Sequence, residues 1–286
     1  MMTFGVNSFI WASPFSAADL PLVQHARDCG ADVFEIAVEN PAVIPIAELR
    51  RELMRTGLKA SVCGVFGPDR DLSSDDSAVR ENADAYIRWC IDAAHELESP
   101  VFAGPMYTYV GKGRLLPEAE RAAERRLVAD QLRRLAEYAA PKGVRLALEV
   151  LNRFETDMLN TVVQGMALLD LVGHDQVGLH LDTFHMHIEE KDSAAAIRRA
   201  GSRLYHFHAC ENDRGIPGTG QVHWPEIAAA LHDIRYQGCT VIESFTPAVV
   251  SIARAVNLWR PPAPTQDAIA IEGLRFLRAL LALRAA

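Results

Sequence analysis

VRLALEV at residues 144–150 and LYHFHA at 204–209 decide the fold. Both are short and read as buried on both sides, as expected of strands in a parallel sheet. Working outward, six further runs share this character: Phe4–Trp11, Asp32–Val38, Lys59–Val65, Pro100–Gly104, Val177–Asp182 and Cys239–Glu243. Helical patterns separate them, over Ala17–Cys29, Ile46–Thr56, Asp76–Leu97, Pro117–Ala140, Thr161–Val172, Ser193–Ala200, Trp224–Ile234 and Asp267–Ala285. Ser16 before AADLPL and Pro117 before EAE are helix start signals. Strict β/α alternation demands a mostly parallel sheet, and eight strands with eight helices select a closed (β/α)8 TIM barrel over an open sheet. No tandem repeat, low-complexity tract or Gly/Ser linker divides the chain, so residues 1–286 are expected to form one barrel domain. The Pro-rich WRPPAPTQD at 259–267 reads as a loop before a final packing helix.

A 286-residue chain with 29 Lys+Arg against 37 Asp+Glu carries a formal charge of −8, which speaks against a nucleic-acid partner. With 49% hydrophobic and 23% charged residues the chain can bury a large core, which excludes a disordered or collagen-like protein. Five scattered cysteines without a CxxC pair argue against a disulfide framework or a cysteine-based zinc site. MMTFGVNSFIW has no basic start and no long apolar run, and no stretch is apolar enough to span a membrane, so a cytoplasmic enzyme is expected. Of ten histidines, eight lie between His174 and His232.

In a closed β/α barrel the chemistry sits at the C-terminal strand ends. The last four strands end in metal-binding residue types: LALEV in Glu149, GLHLD in Asp182, YHFHA in His208 and TVIES in Glu243. Any one of them alone is an ordinary charged loop entry. Delivered together to one face, the carboxylates repel one another, and a divalent cation relieves that repulsion. Three carboxylates and one imidazole suit Mn2+, Mg2+ or Co2+, with zinc compatible as well.

Across nearly its whole length the chain resembles the ketose 3-epimerases of the D-tagatose, D-psicose (allulose) and L-ribulose 3-epimerase type, within the xylose-isomerase-like barrels. LEVLNRFET (148–156), HLDTFHMHIEE (180–190), HFHACENDRG (206–215), PGTGQVHW (217–224) and TVIESF (240–245) carry the resemblance, in that order. It implies that Glu149, Asp182, His208 and Glu243 are the metal ligands, the set already read from the strand ends. Mn2+ is the leading ion, with Co2+ or Mg2+ as alternatives. The resemblance also implies substrate contacts from Glu155, His185 and Arg214, an isomerase acting on a small ketose, and a homodimer or homotetramer; no nucleic-acid or membrane partner is expected.

Epimerising a ketose at C3 removes a proton from carbon and returns one on the opposite face. A metal holding O2 and O3 polarises the C2 carbonyl and stabilises a cis-enediolate. Two bases on opposite faces are then needed, and Glu149 and Glu243, from strands five and eight, are expected to serve as both ligands and general acid/bases. The competing readings are an aldose–ketose or hydroxypyruvate isomerase of the same superfamily, and a non-catalytic sugar-binding barrel. His206 shares a face with His208 and is read as a supporting or core residue, while His187 is not expected to be a ligand. PGTG lacks a phosphate-loop pattern and is read as a turn, which favours a free sugar. Trp11 and Phe245 are candidate pocket walls, and Cys63 is read as a buried thiol without a chemical role. Pro105, Val110 and NSFIWASPF depart from familiar members of the family, so D-allulose/D-fructose, D-tagatose/D-sorbose and L-ribulose/L-xylulose stay open as substrate pairs.

Overall fold

The computed structural model describes residues 2–282. Eight strands form a closed parallel barrel in chain order, with β1 pairing β8: β1 Thr3–Asn7, β2 Val33–Val38, β3 Lys59–Gly64, β4 Val101–Gly104, β5 Arg145–Glu149, β6 Val177–Asp182, β7 Leu204–His208 and β8 Cys239–Ile242. Around them pack α1 Pro21–Asp28, α2 Ile46–Thr56, α3 Ser77–Glu96, α4 Glu118–Ala139, α5 Val162–Val172, α6 Thr183–Glu189, α7 Ser193–Ala200, α8 Trp224–Asp233, α9 Val250–Ala255 and α10 Gln266–Ala282. The end of the expected Asp267–Ala285 helix lies outside the described residues. Among the described residues no helix is long and apolar enough to cross a membrane.

Local chemistry explains where the elements stop. The expected first strand, Phe4–Trp11, ends early because the Asn7 side chain accepts the N–H of Phe9 at 2.9 Å and turns Ser8–Ile10 into a 3-10 segment. The expected Ala17–Cys29 helix divides into a 3-10 turn, Ala17–Asp19, and α1, which opens on Pro21. Helix α5 begins at a capping box between Thr161 and Gln164 and ends at Gly173, whose φ of 63° suits glycine. Two short helices, α6 and α9, were not expected from the sequence. The α6 helix starts where the Asp182 carboxylate accepts the N–H of Phe184 at 2.6 Å, so the last residue of β6 also caps the helix that follows.

One irregularity sets which way β7 faces. Leu204 pairs with Leu179 but His206 pairs with His180 and His208 with Asp182, so Tyr205 is an extra residue bulged out of the β6–β7 ladder. A one-residue change of register exchanges the two faces of a strand. The bulge therefore aligns His206 and His208 with His180 and Asp182, leaving Phe207 with Trp224, Ile227 and Leu231 of α8. Gly178 makes the room: a Cβ there would meet the Tyr205 ring and lie 2.6 Å from the Arg203 carbonyl oxygen.

Candidate metal centre

Glu149, Asp182 and His208 are the final residues of β5, β6 and β7, and Glu243 follows the last residue of β8. Parallel strands in one barrel must end at the same rim, so these four side chains meet there. One donor atom from each lies within 4.8 Å of every other, and all four residues are buried. His208 Nδ1 is 3.5 Å from Glu243 Oε2 and 3.9 Å from Asp182 Oδ2.

Three buried carboxylates this close disfavour their own ionisation. Burial, reinforced by the charge of Glu243, pushes Glu149 above the usual carboxylate range. Burial acts the same way on Asp182, but Arg214, His185 and His208 together outweigh it and hold that carboxyl below its ordinary value. The Arg214 guanidinium donates from Nη1 to Asp182 Oδ2 at 2.7 Å and to Glu243 Oε2 at 3.1 Å. The donor set fits a hard divalent cation: three carboxylates and one imidazole converge, and the buried His208 Nδ1 has no hydrogen-bond partner of its own.

The residues expected to contact substrate adjoin this set. His185, in α6, has Nε2 3.5 Å from Glu149 Oε1, and its Nδ1 accepts the backbone N–H of Asn152 at 3.2 Å. The Asn152 side chain also donates to Glu155 Oε1 at 2.8 Å, which links Glu155 to His185. Arg214 sits at φ 65° in a turn, with its guanidinium over the rings of Phe184 at 4.1 Å and Phe245 at 5.0 Å. Phe245 thus borders the centre through Arg214. Trp11 instead turns to the helix layer, where its indole N–H donates to Asp267 at 2.9 Å. His187 lies in α6 and belongs to none of the convergent groups.

PGTG forms a turn whose polar groups are used internally: Glu211 accepts the N–H of Gly218 at 2.7 Å and the indole N–H of Trp224 at 2.6 Å. His25, Cys29 and Asp267 form another cluster of ligand types. His25 Nε2 lies 2.8 Å from Asp267 Oδ1, a hydrogen-bonding distance that ties α1 to α10, and burial raises the Cys29 thiol to about 11. The larger surface depressions, about 1250 Å³ near Asp32, Lys59 and Arg278 and about 980 Å³ between α1 and α2, lie away from the carboxylates.

Sequence reasoning did not single out Glu35, the buried carboxylate facing both His206 and His208. The available signal was an acid in the middle of the apolar run VFEIAV.

A profile described as a xylose isomerase-like TIM barrel matches residues 23–280. A probable ketose 3-epimerase from Synechocystis sp. is 34% identical over 275 residues, covering 96% of this chain and 95% of its own. An L-ribulose 3-epimerase from Methylomonas sp. is 33% identical over 280 residues, covering 97% of both chains. The crystal structure of a D-allulose 3-epimerase from Methylomonas sp. superposes with a TM-score of 0.92 at 32% identity, covering 98% of each chain.

Proposed function

The chain belongs to the xylose isomerase-like TIM barrels, among the ketose 3-epimerases, and from that premise we propose that it is a metal-dependent enzyme epimerising free ketoses at C3. One observation carries the reading: Glu149, Asp182, His208 and Glu243 converge at the rim of the barrel beside His185 and Arg214. These four residues would hold the ion, Mn2+ first and Co2+ or Mg2+ next. When bound, it supplies a Lewis acid that polarises the C2 carbonyl of the sugar.

The proton chemistry falls to the two glutamates. Glu149 and Glu243 come from opposite ends of the β5–β8 arc, as two bases working on opposite faces of C3 require. Burial and the neighbouring charge favour the protonated form of Glu149, so this side chain is suited to returning a proton as well as taking one. The His185 ring is held through Nδ1 by the Asn152 N–H, which directs Nε2 toward Glu149 and the substrate hydroxyls. Arg214 and Glu155 grip further hydroxyls around C1 to C3, and the rings of Phe184 and Phe245 flank the guanidinium.

D-allulose/D-fructose, D-tagatose/D-sorbose and L-ribulose/L-xylulose are the substrate pairs proposed. The reading covers residues 1–286 as one domain and extends to a cytoplasmic homodimer or homotetramer; sedimentation as a monomer would remove the oligomer from it. A panel of ketohexoses and ketopentoses, assayed with Mn2+, Co2+ and Mg2+ after chelator stripping, tests substrate and ion together. C3 epimers should form in a metal-dependent way, and conversion of these sugars to aldoses alone would overturn the proposal.

A further inference from the structure

Beneath the rim, Glu35 of β2 lies inside the barrel with no exposed surface. Its Oε1 is 2.7 Å from His208 Nε2 and accepts from Asn7 Nδ2 at 2.8 Å. Its Oε2 is 2.7 Å from His206 Nε2 and accepts from the Ser61 hydroxyl at 2.6 Å. Oε1 therefore has two hydrogen-bonding partners and Oε2 one, with the His206 ring in close contact; these groups come from β1, β3 and β7. Asn7 is itself oriented, because its Oδ1 accepts the N–H of Phe9 and leaves the amide N–H₂ to face Glu35.

We propose that Glu35 is the positioning residue of the metal centre, fixing the His208 ring so that Nε2–H points at the carboxylate and the Nδ1 lone pair points at Glu149, Asp182 and Glu243. This rests on the reading that those residues and His208 hold a divalent cation. The geometry carries it from both sides of one ring. One nitrogen is 2.7 Å from a fully buried carboxylate, while the other faces Glu243 at 3.5 Å with no hydrogen bond of its own. A carboxylate accepts a proton and does not donate one when ionised, so it selects the tautomer with Nδ1 free. It also makes that nitrogen a stronger donor to a cation, as carboxylate partners of metal-bound histidines do. The hydrogen bonds from Asn7 and Ser61, with the His206 ring packed against Oε2, keep the carboxylate from rotating away from His208.

The test is the isosteric Glu35→Gln variant, which replaces one acceptor oxygen with an N–H₂ group. Chelator-stripped wild type and variant are titrated with Co2+ and Mn2+ by calorimetry, and the visible spectrum of the Co2+ forms is recorded. The expected result is a loss of affinity of about 10- to 100-fold with an altered Co2+ spectrum, in a variant whose circular dichroism matches wild type. A folded variant with wild-type affinity and an unchanged spectrum overturns the inference, even if its thermal stability has dropped. Should Glu35→Gln not fold, Ser61→Ala carries the test: a threefold or greater loss of affinity supports the role, and unchanged affinity overturns it. Wild-type protein that binds neither ion overturns the metal reading itself, and this inference with it.

Discussion

Arg214→Met separates the two electrostatic roles that the rim assigns to positive charge. Arg214 is 7% exposed, and its guanidinium spans Asp182 at 2.7 Å and Glu243 at 3.1 Å. Methionine fills similar space without charge, so in metal-free protein two buried carboxylates lose their main compensation. Breaking a buried ion pair from one side costs about 3–5 kcal/mol. Unfolding entropy of about 2.1 cal/mol/K per residue, applied to 286 residues, is about 0.6 kcal/mol/K. The melting temperature of chelator-stripped Arg214→Met should therefore fall by about 5–8 °C. A divalent cation placed among the same carboxylates supplies the missing charge. Wild type gains about 2.7 kcal/mol at a metal concentration of 100 Kd, and the variant should gain more, closing most of the gap. Differential scanning calorimetry with EDTA and with Mn2+ reads both arms. A stripped variant melting with wild type, or a metal-induced rise no larger than that of wild type, would refute the electrostatic reasoning.

Three further outcomes follow from the same geometry. Glu149→Gln and Glu243→Gln should each lower kcat by about 10²–10⁴-fold with metal bound; wild-type turnover in either would defeat the two-base assignment. Gly178→Ala forces a Cβ to 2.6 Å from the Arg203 carbonyl oxygen and against the Tyr205 ring, so it should disturb the β7 bulge and lower metal affinity, read by Co2+ titration. Unchanged affinity would show that the bulge does not set the facing of His208. Ellman's reagent at pH 8 should find the thiols slow to react in native protein, since burial raises the Cys29 thiol to about 11 and pushes those of Cys63, Cys90, Cys210 and Cys239 up as well, whereas all five should react rapidly once the chain is unfolded.

Much of the fold was legible because a strand covered on both faces leaves an apolar run in the sequence, and eight such runs alternating with helices admit few topologies. The four rim residues were legible for the same reason: Glu149, Asp182, His208 and Glu243 each close an apolar run, and parallel strands bring their ends together. The facing of β7 was not legible. In LYHFHA either the Tyr/Phe set or the His/His set could point inward, and the choice depends on a single bulged residue accommodated by Gly178 on another strand. Helix α6 is seven residues long, too short for periodicity to reveal, and it begins at a cap supplied by Asp182. Glu35 stood in view within VFEIAV, but its partners come from strands distant in the chain, and only the closed barrel brings them to it.

Incubating the metal-loaded enzyme with D-fructose in D₂O, followed by NMR of the recovered sugars, tests the central claim most directly. Proton exchange through Glu149 and Glu243 predicts D-allulose as product with deuterium at C3, and both product and label should disappear after metal removal by EDTA. Deuterium confined to C1 or C2, or aldose in place of the C3 epimer, would contradict it.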